Sequence, residues 1–200
     1  MQMAAKFRHQ LLGAFLTILV LQPFVAGKGS YGRRVYIGLP KSGNTLTGVR
    51  WNNLPLTYGF LTNSSLPAYL DVQVVTSIID AAFQIWQVAV PLFGFQRIYP
   101  GENANIKIAF TPLDSSDYGI GYYPPDGRLY LDNSYVSWST KPNPASNELD
   151  LFSGVLSVIG NTLGLANSNN PSAVMYSGLT EGTVKRQLTQ EDITRIQALY

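Results

Sequence analysis

Reactive side chains are scarce in this chain of 200 residues. It has no cysteine and a single histidine, His9. Zinc is held by imidazole, thiolate or carboxylate at short range, so the usual donors are almost absent. Among the carboxylates, Asp114, Asp117 and Asp126 fall close together and could build an oxygen site for a hard cation such as calcium. They could equally be turn aspartates, since loops attract Asp for their own backbone reasons. Asn63-Ser64-Ser65 is a glycosylation sequon in a turn-like stretch. Arg33-Arg34 is a dibasic pair open to processing.

His9 itself lies in a segment built to be removed. Lys6 and Arg8 precede an apolar run from Leu11 to Val20, and Val25, Ala26 and Gly27 follow Pro23. A basic start, a short apolar core and small residues describe a secretory signal peptide over residues 1–27, cleaved after Gly27. The alternative, an uncleaved anchor, wants ~20 apolar residues, which neither this run nor any later one supplies. The expectation is a secreted, extracellular chain with no membrane contact after signal cleavage and no histidine left. Residues 28–200 suffice for one domain with its own core. Without disulfides, that core and any bound ions must hold it.

Charge is unevenly spread. Residues 28–50 carry Lys28, Arg33, Arg34, Lys41 and Arg50 and no acid, whereas residues 51–200 carry seven basic and twelve acidic side chains, a net of −5. The first stretch reads as a basic flexible lead-in, which could be solvated, dock back on the acidic body or bind a polyanion. Nothing resembles a nucleic-acid module.

The remaining pattern supplies the scaffold. Leu54 to Phe60 reads as a strand. Val72, Val75, Ile79, Ala82, Phe83 and Trp86 recur at spacings of three and four and predict a long helix laid on a sheet. Asn105 to Phe110 and Arg128 to Asp132 alternate as strands. Helical character returns from Glu148 to Leu165, with Gly164 as its stop. Thr189 caps a final helix whose first turn is acidic. Strands and helices in this order predict an α/β layered domain over residues 51–200.

Six strings in that domain resemble, in the right order, the catalytic domain of the matrixins, the matrix metalloproteinase family of zinc endopeptidases. They are Trp51 with Leu56-Thr57-Tyr58; Ala82-Phe83 with Trp86; Pro91-Leu92-Phe93; Gly127 to Asp132 with Trp138; the Met-turn Pro171-Ser172-Ala173-Val174-Met175-Tyr176; and Leu188 to Ile193 with Ile196-Gln197-Ala198-Leu199-Tyr200. The resemblance implies a metzincin-like α/β (α+β) fold: a twisted, mostly parallel five-stranded sheet, three helices and a Met-turn around Met175.

The family's zinc signature, H-E-x-G-H-x-L-G-L-x-H, aligns on Gly160 and Leu163-Gly164-Leu165. Its histidine positions then hold Ser157, Asn161 and Asn167, and its general-base glutamate becomes Val158. A hydroxyl and two amides offer zinc no charged or imidazole donor, and without metal and carboxylate nothing activates water. The structural-zinc histidine becomes Tyr130, with Ile120 near its upstream partner. Asp132 keeps one calcium position, with Asp114 and Asp117 as candidate companions, but Tyr135 replaces the glutamate of that pair. The expectation is no cofactor: no zinc, and at most calcium.

The family pairs extended substrate with an edge strand, whose counterpart here is Gly119-Ile120-Gly121-Tyr122-Tyr123. Backbone pairing needs no particular side chain and can outlast the metal. Tyr122, Tyr123, Tyr130 and Tyr135 are either recognition surface or ordinary strand and core residues. The leading expectation is a catalytically inactive pseudoprotease that binds an extended peptide, protease inhibitor or matrix protein without cleaving it. The alternatives are an active extracellular metalloendopeptidase with non-standard ligands and a structural paralogue without a ligand. Oligomeric state is not specified by the sequence.

Overall fold

A computed structural model describes Arg33–Tyr36 as backbone, and residues 48–114 and 116–200 in full. The signal peptide expected over residues 1–27, His9 within it, lies outside the described residues. In chain order the elements are β1 (Arg33–Tyr36), β2 (Thr57–Phe60), α1 (Val72–Ala89), β3 (Gln96–Arg97), β4 (Ile106–Thr111), β5 (Asp117–Gly121), β6 (Arg128–Asp132), β7 (Trp138–Ser139), β8 (Leu149–Asp150), α2 (Leu151–Thr162), β9 (Gly178–Leu179) and α3 (Gln190–Leu199). The main sheet runs β3-β2-β4-β6-β5-β1-β9, and β7 and β8 form a separate pair.

Five of those strands, β3-β2-β4-β6-β5, make the expected mostly parallel sheet, with β5 antiparallel to β6 at its edge. Two strands then extend it. β1 pairs parallel with β5, and β9 pairs antiparallel with β1. The stretch expected to be a flexible lead-in therefore contains a strand. Its physical reason is an open edge: β5 presents unpaired amides and carbonyls on the side away from β6, and an extended segment satisfies them.

α1 buries Val75, Ile79, Ala82, Phe83 and Trp86 as the spacing predicts, but Val72 is 63% exposed. Val72 is the first residue after the cap, where Asp71 accepts from the amides of Gln73 and Val74, and it lies off the end of the apolar stripe. α2 is shorter than the sequence pattern, because Asp150 caps it and Leu163 ends it. Eleven of its twelve residues are buried, so it runs through the core and leaves no solvent face. Two indoles pin it in place: Trp86 Nε1 donates to Leu156 O at 2.9 Å, and Trp51 Nε1 to Thr162 O at 2.9 Å.

The two ends of the domain are tied together. The Trp51 amide donates to the Tyr200 hydroxyl at 3.0 Å, and that hydroxyl donates to Leu163 O at 2.9 Å. Arg50 Nη1 donates to Leu199 O at 3.2 Å. Phe93 meets the Tyr200 ring edge-on with centroids 4.7 Å apart. Burial pushes the Tyr200 phenol up to about 12, so it remains a donor across the neutral range.

Candidate functional site: a sealed helix face beside an occupied strand edge

The middle of α2 packs against β5 with almost no spacing. A Cβ on Gly121 would lie 2.6 Å from Val158 O and 2.7 Å from Asn161 Cβ, and one on Gly119 would lie 2.7 Å from Val158 Cγ2. The two glycines let helix and strand close onto each other, and Val158 fills the seam. Ser157, Val158 and Asn161 are all buried, Val158 and Asn161 with no exposed surface at all.

Ser157, Asn161 and Asn167 form a neutral, oxygen- and amide-lined niche. Asn161 Nδ2 donates to Leu165 O at 2.9 Å and more weakly to Asn167 Oδ1 at 3.4 Å. Ser157 Oγ and Asn161 Oδ1 are buried without hydrogen-bond partners. Such a niche does not fit zinc, which needs thiolate, imidazole or carboxylate to repay its dehydration. Two orphaned neutral oxygens carry no charge to do so, and the Asn161 amide hydrogens are already committed to carbonyls.

Beneath the helix, Met175 is fully buried. Gly160 makes room for it: a Cβ there would meet Met175 Sδ at 2.2 Å and Trp86 Cζ2 at 2.9 Å. The Met-turn is held from α3. Val174 and Met175 donate their amides to the two oxygens of buried Asp192, at 3.0 and 3.1 Å. The same carboxylate accepts from Thr189 N at 2.8 Å and Thr189 Oγ1 at 2.7 Å, closing the capping box of α3. The string Leu188-Thr189-Gln190-Glu191-Asp192 signals the cap, but nothing in it signals that the Met-turn hangs from the same side chain.

The second metal region is also occupied by protein. Tyr130 sits in register with Ile120 across β6 and β5. Its ring meets Tyr122 edge-on at 5.9 Å, and the Arg128 guanidinium lies 4.0 Å above the Tyr122 ring and 5.8 Å from the Tyr130 ring. Asp126 holds Arg128 through Nε at 2.6 Å and Nη2 at 2.7 Å, and that bond holds the Asp126 carboxyl below the usual range. A tyrosine–arginine stack thus stands at the structural-zinc position, with no imidazole in it.

Asp132 is fully buried, whereas Asp114 is exposed. Its carboxylate accepts from Leu113 N (3.0 Å), Ser134 N (3.1 Å), Ser134 Oγ (3.1 Å), Tyr135 N (2.6 Å) and Val136 N (2.7 Å). Burial pushes this carboxyl up, but the backbone bonds from Tyr135, Leu113 and Val136 outweigh it and hold it below the usual range. Among the described residues no three His, Cys, Asp or Glu side chains converge on one point, Asp114, Asp117 and Asp132 included. The Asp132 carboxylate is engaged by the turn that follows it and by the Leu113 amide. Asn63 is exposed in a turn.

The groove residues divide. Gly119 and Ile120 lie in β5 as register partners of Val35 and Tyr36, and Gly121 ends the strand. Tyr122 and Tyr123 are past it, in the turn toward β6. β1 fills the space between β5 and β9, so an extended backbone already lies along the edge where a peptide was expected. Sequence reasoning missed this because a four-residue strand with a long-range partner leaves no periodic signal.

Comparison with known proteins adds an independent line. A family model described as Matrixin matches residues 50–200. Interstitial collagenase B of Mus musculus is 31% identical over 159 residues, 76% of this chain and 33% of the relative. Metalloendoproteinase 1-MMP of Arabidopsis thaliana is 31% identical over 163 residues, 76% of this chain and 44% of the relative. Neutrophil collagenase of Homo sapiens is 33% identical over 176 residues, 82% of this chain and 36% of the relative. The chain spans about a third to under half the length of these three.

Proposed function

The chain belongs to the matrixin family, and on that premise we propose that it is a secreted member without protease activity, which holds extended backbone at the edge of β5 and does not cut it. The relatives named above are called collagenases and metalloendoproteinases; this chain departs from them where the reaction would occur. One observation carries the reading. The positions that would hold a general base and two metal ligands are Val158, Ser157 and Asn161, and all three are buried in the seam between α2 and β5. A general base must reach the proton it removes. An isopropyl group packed on two glycines has neither the chemistry nor the access.

The binding half of the proposal draws on β1. A strand lies along β5 with β9 on its far side, an arrangement in which main-chain hydrogen bonds supply affinity and side-chain chemistry is free to vary. Candidate partners in trans are therefore extended segments of a matrix protein or protease inhibitor, engaged as added strands. Secretion rests on the N-terminal leader pattern and is checked by recovery of the processed chain from culture medium.

The test of inactivity combines metal analysis of the purified protein with turnover of a fluorogenic peptide. No stoichiometric zinc and no chelator-sensitive cleavage are expected. Bound zinc with cleavage abolished by a chelator would overturn the proposal and return the chain to the active endopeptidases.

A further inference from the structure

α1 carries a second apolar stripe that the core does not use. Val74, Ile78, Ala81, Ile85 and Val88 follow one another at spacings of four, three, four and three. At about 100° per residue they fall within roughly 80° of the helix circumference, beside the stripe of Val75, Ile79, Ala82, Phe83 and Trp86 that enters the core. Val74 is 43% exposed and Val88 83%. Ala81 is also exposed, and Ile78 and Ile85 are half-buried. Apolar side chains at a period of about 3.5 residues are what one helix offers another.

The surroundings of the stripe agree. From Val72 to Ala89 the helix has one charged side chain, Asp80, which is engaged by Arg97 at 3.4 Å and by the Tyr58 hydroxyl at 2.8 Å. The row bordering the stripe on its solvent side is Gln73, Ser77 and Gln84, all exposed and all neutral. Along the N-terminal half, Val74, Ser77, Ile78 and Ala81 line a groove of about 640 Å³ together with Thr140 and Phe152. A surface helix ordinarily turns charge toward water on the face away from the core. This one shows valine, isoleucine and uncharged polar groups.

The order of the side chains identifies the occupant. Read in either direction, the stripe is Val, Ile, Ala, Ile, Val. A second copy of α1 laid antiparallel sets Val74 on the partner's Val88, Ile78 on the partner's Ile85 and Ala81 on the partner's Ala81. A two-fold dimer requires such a self-complementary patch, because every contact is repeated by its mate. The small residue at the axis lets the helices approach toward the short end of the ~8–10 Å range of helix packing. The neutral rows meet without like-charge repulsion, and antiparallel helix dipoles attract. An unrelated partner helix would call for no such symmetry.

We propose that the protein self-associates as a two-fold dimer through the Val74–Val88 stripe of α1, with Ala81 on the axis. The seam runs about 21 Å at ~1.5 Å per residue. One helix and one groove wall per copy lie at the low end of interface sizes, so the dissociation constant is expected at about 10–100 μM. The stripe contains no residue of β5, so the dimer and the strand-edge reading stand or fall separately.

Sedimentation velocity of the full-length protein between about 1 and about 200 μM measures the association. Ala81→Glu and Ala81→Arg each set like charges against each other at the axis, at an exposed position. Each should weaken the dimer at least about tenfold, and an equimolar mixture of the two should recover an affinity near wild type, because unlike charges then meet. Circular dichroism and melting curves establish that both variants fold as the wild type does. The chain has no cysteine, so single-cysteine variants report the geometry directly. Under mild oxidation Ala81→Cys should cross-link to itself and Val88→Cys should not, whereas Val74→Cys mixed with Val88→Cys should give a mixed cross-linked dimer.

A wild type that is still monomeric at the highest concentration would overturn the dimer; if that monomer sediments with phosphatidylcholine vesicles, the stripe belongs to a lipid surface instead. Association unchanged by either charge variant would place the contact elsewhere on the molecule and refute the stripe. Loss of association in both variants with no recovery on mixing would refute the two-fold axis at Ala81.

Discussion

Placing a glutamate at position 158 tests the central claim, because it restores the residue type a hydrolase would need at the place the fold has closed. Val158 has no exposed surface, and its γ-carbons reach within 2.7 and 3.3 Å of where Cβ atoms on Gly119 and Gly121 would sit. Val158→Glu must fit a longer side chain into that seam, an overpacking cost of about 1–3 kcal/mol. It must also keep the carboxyl neutral or bury a charge. If burial lifts its pKa by about three units above ~4.3, the penalty is about 3–3.5 kcal/mol at pH 7 and levels off at about 4 kcal/mol above the folded pKa. Together these approach the whole stability of an ordinary domain, roughly 5–15 kcal/mol. The sign with pH is fixed. Below ~4.3 the group is protonated in both states and only packing counts. As pH rises toward the elevated folded pKa the penalty grows by about 1.4 kcal/mol per unit, then levels off. Urea unfolding of the wild type, Val158→Glu and the uncharged Val158→Gln between pH 4 and 8 reads this directly. The glutamine variant should show a pH-independent loss, and the glutamate variant a loss that deepens from pH 4 to above 7. A glutamate variant within about 1 kcal/mol of wild type at all pH values would mean that position 158 opens onto a solvent-filled cleft, and the reasoning from the sealed seam would be wrong.

Three further outcomes follow from the same geometry. Asp192→Ala strips the buried amides of Val174 and Met175 of their acceptor and removes the α3 cap; about 3–5 kcal/mol of lost stability is expected in urea, and a loss under 1 would refute its bridging role. Asp132, held below its usual range, contributes stability that is present above ~3.9 and fades as pH falls through its depressed value. Asp132→Asn should therefore be less stable at pH 7 and show a flatter stability–pH curve below pH 4, whereas parallel acid curves for variant and wild type would count against this. Gly121→Ala sets a methyl 2.6 Å from a backbone carbonyl; a drop of at least 2 kcal/mol in chemical denaturation is expected for such a forced separation of helix and strand, and tolerance of alanine would show that α2 and β5 can part freely.

Much of this was legible in the sequence, for particular reasons. β6 spans Arg128–Asp132 as the alternation predicts, and α3 starts after Thr189 as its cap requires. The α1 stripe held from Val75 to Trp86, since a long apolar face is a strong periodic signal. The identity of the Ser157-Val158-Asn161 face followed from aligned strings. That it is shut did not, because the closure is made by Gly119 and Gly121 on another strand, and a glycine's lack of a side chain predicts no partner. For Asp132 the sequence shows a carboxylate just before a turn, and its five protein donors, one of them the distant Leu113 amide, appear only in the fold. β1, β3 and β9 are two to four residues long and stabilised by distant neighbours, which no local pattern records.

The knot of Arg50, Trp51, Leu199 and Tyr200 bears on how this domain can be handled. Residues 50 and 200 emerge side by side, so a short linker could join them and new ends could be opened in an exposed loop such as 141–147 without stretching the fold. The chain that enters at residue 50 therefore meets the body beside Leu199 and Tyr200, so the first and last turns of this unit share one anchor and should loosen together.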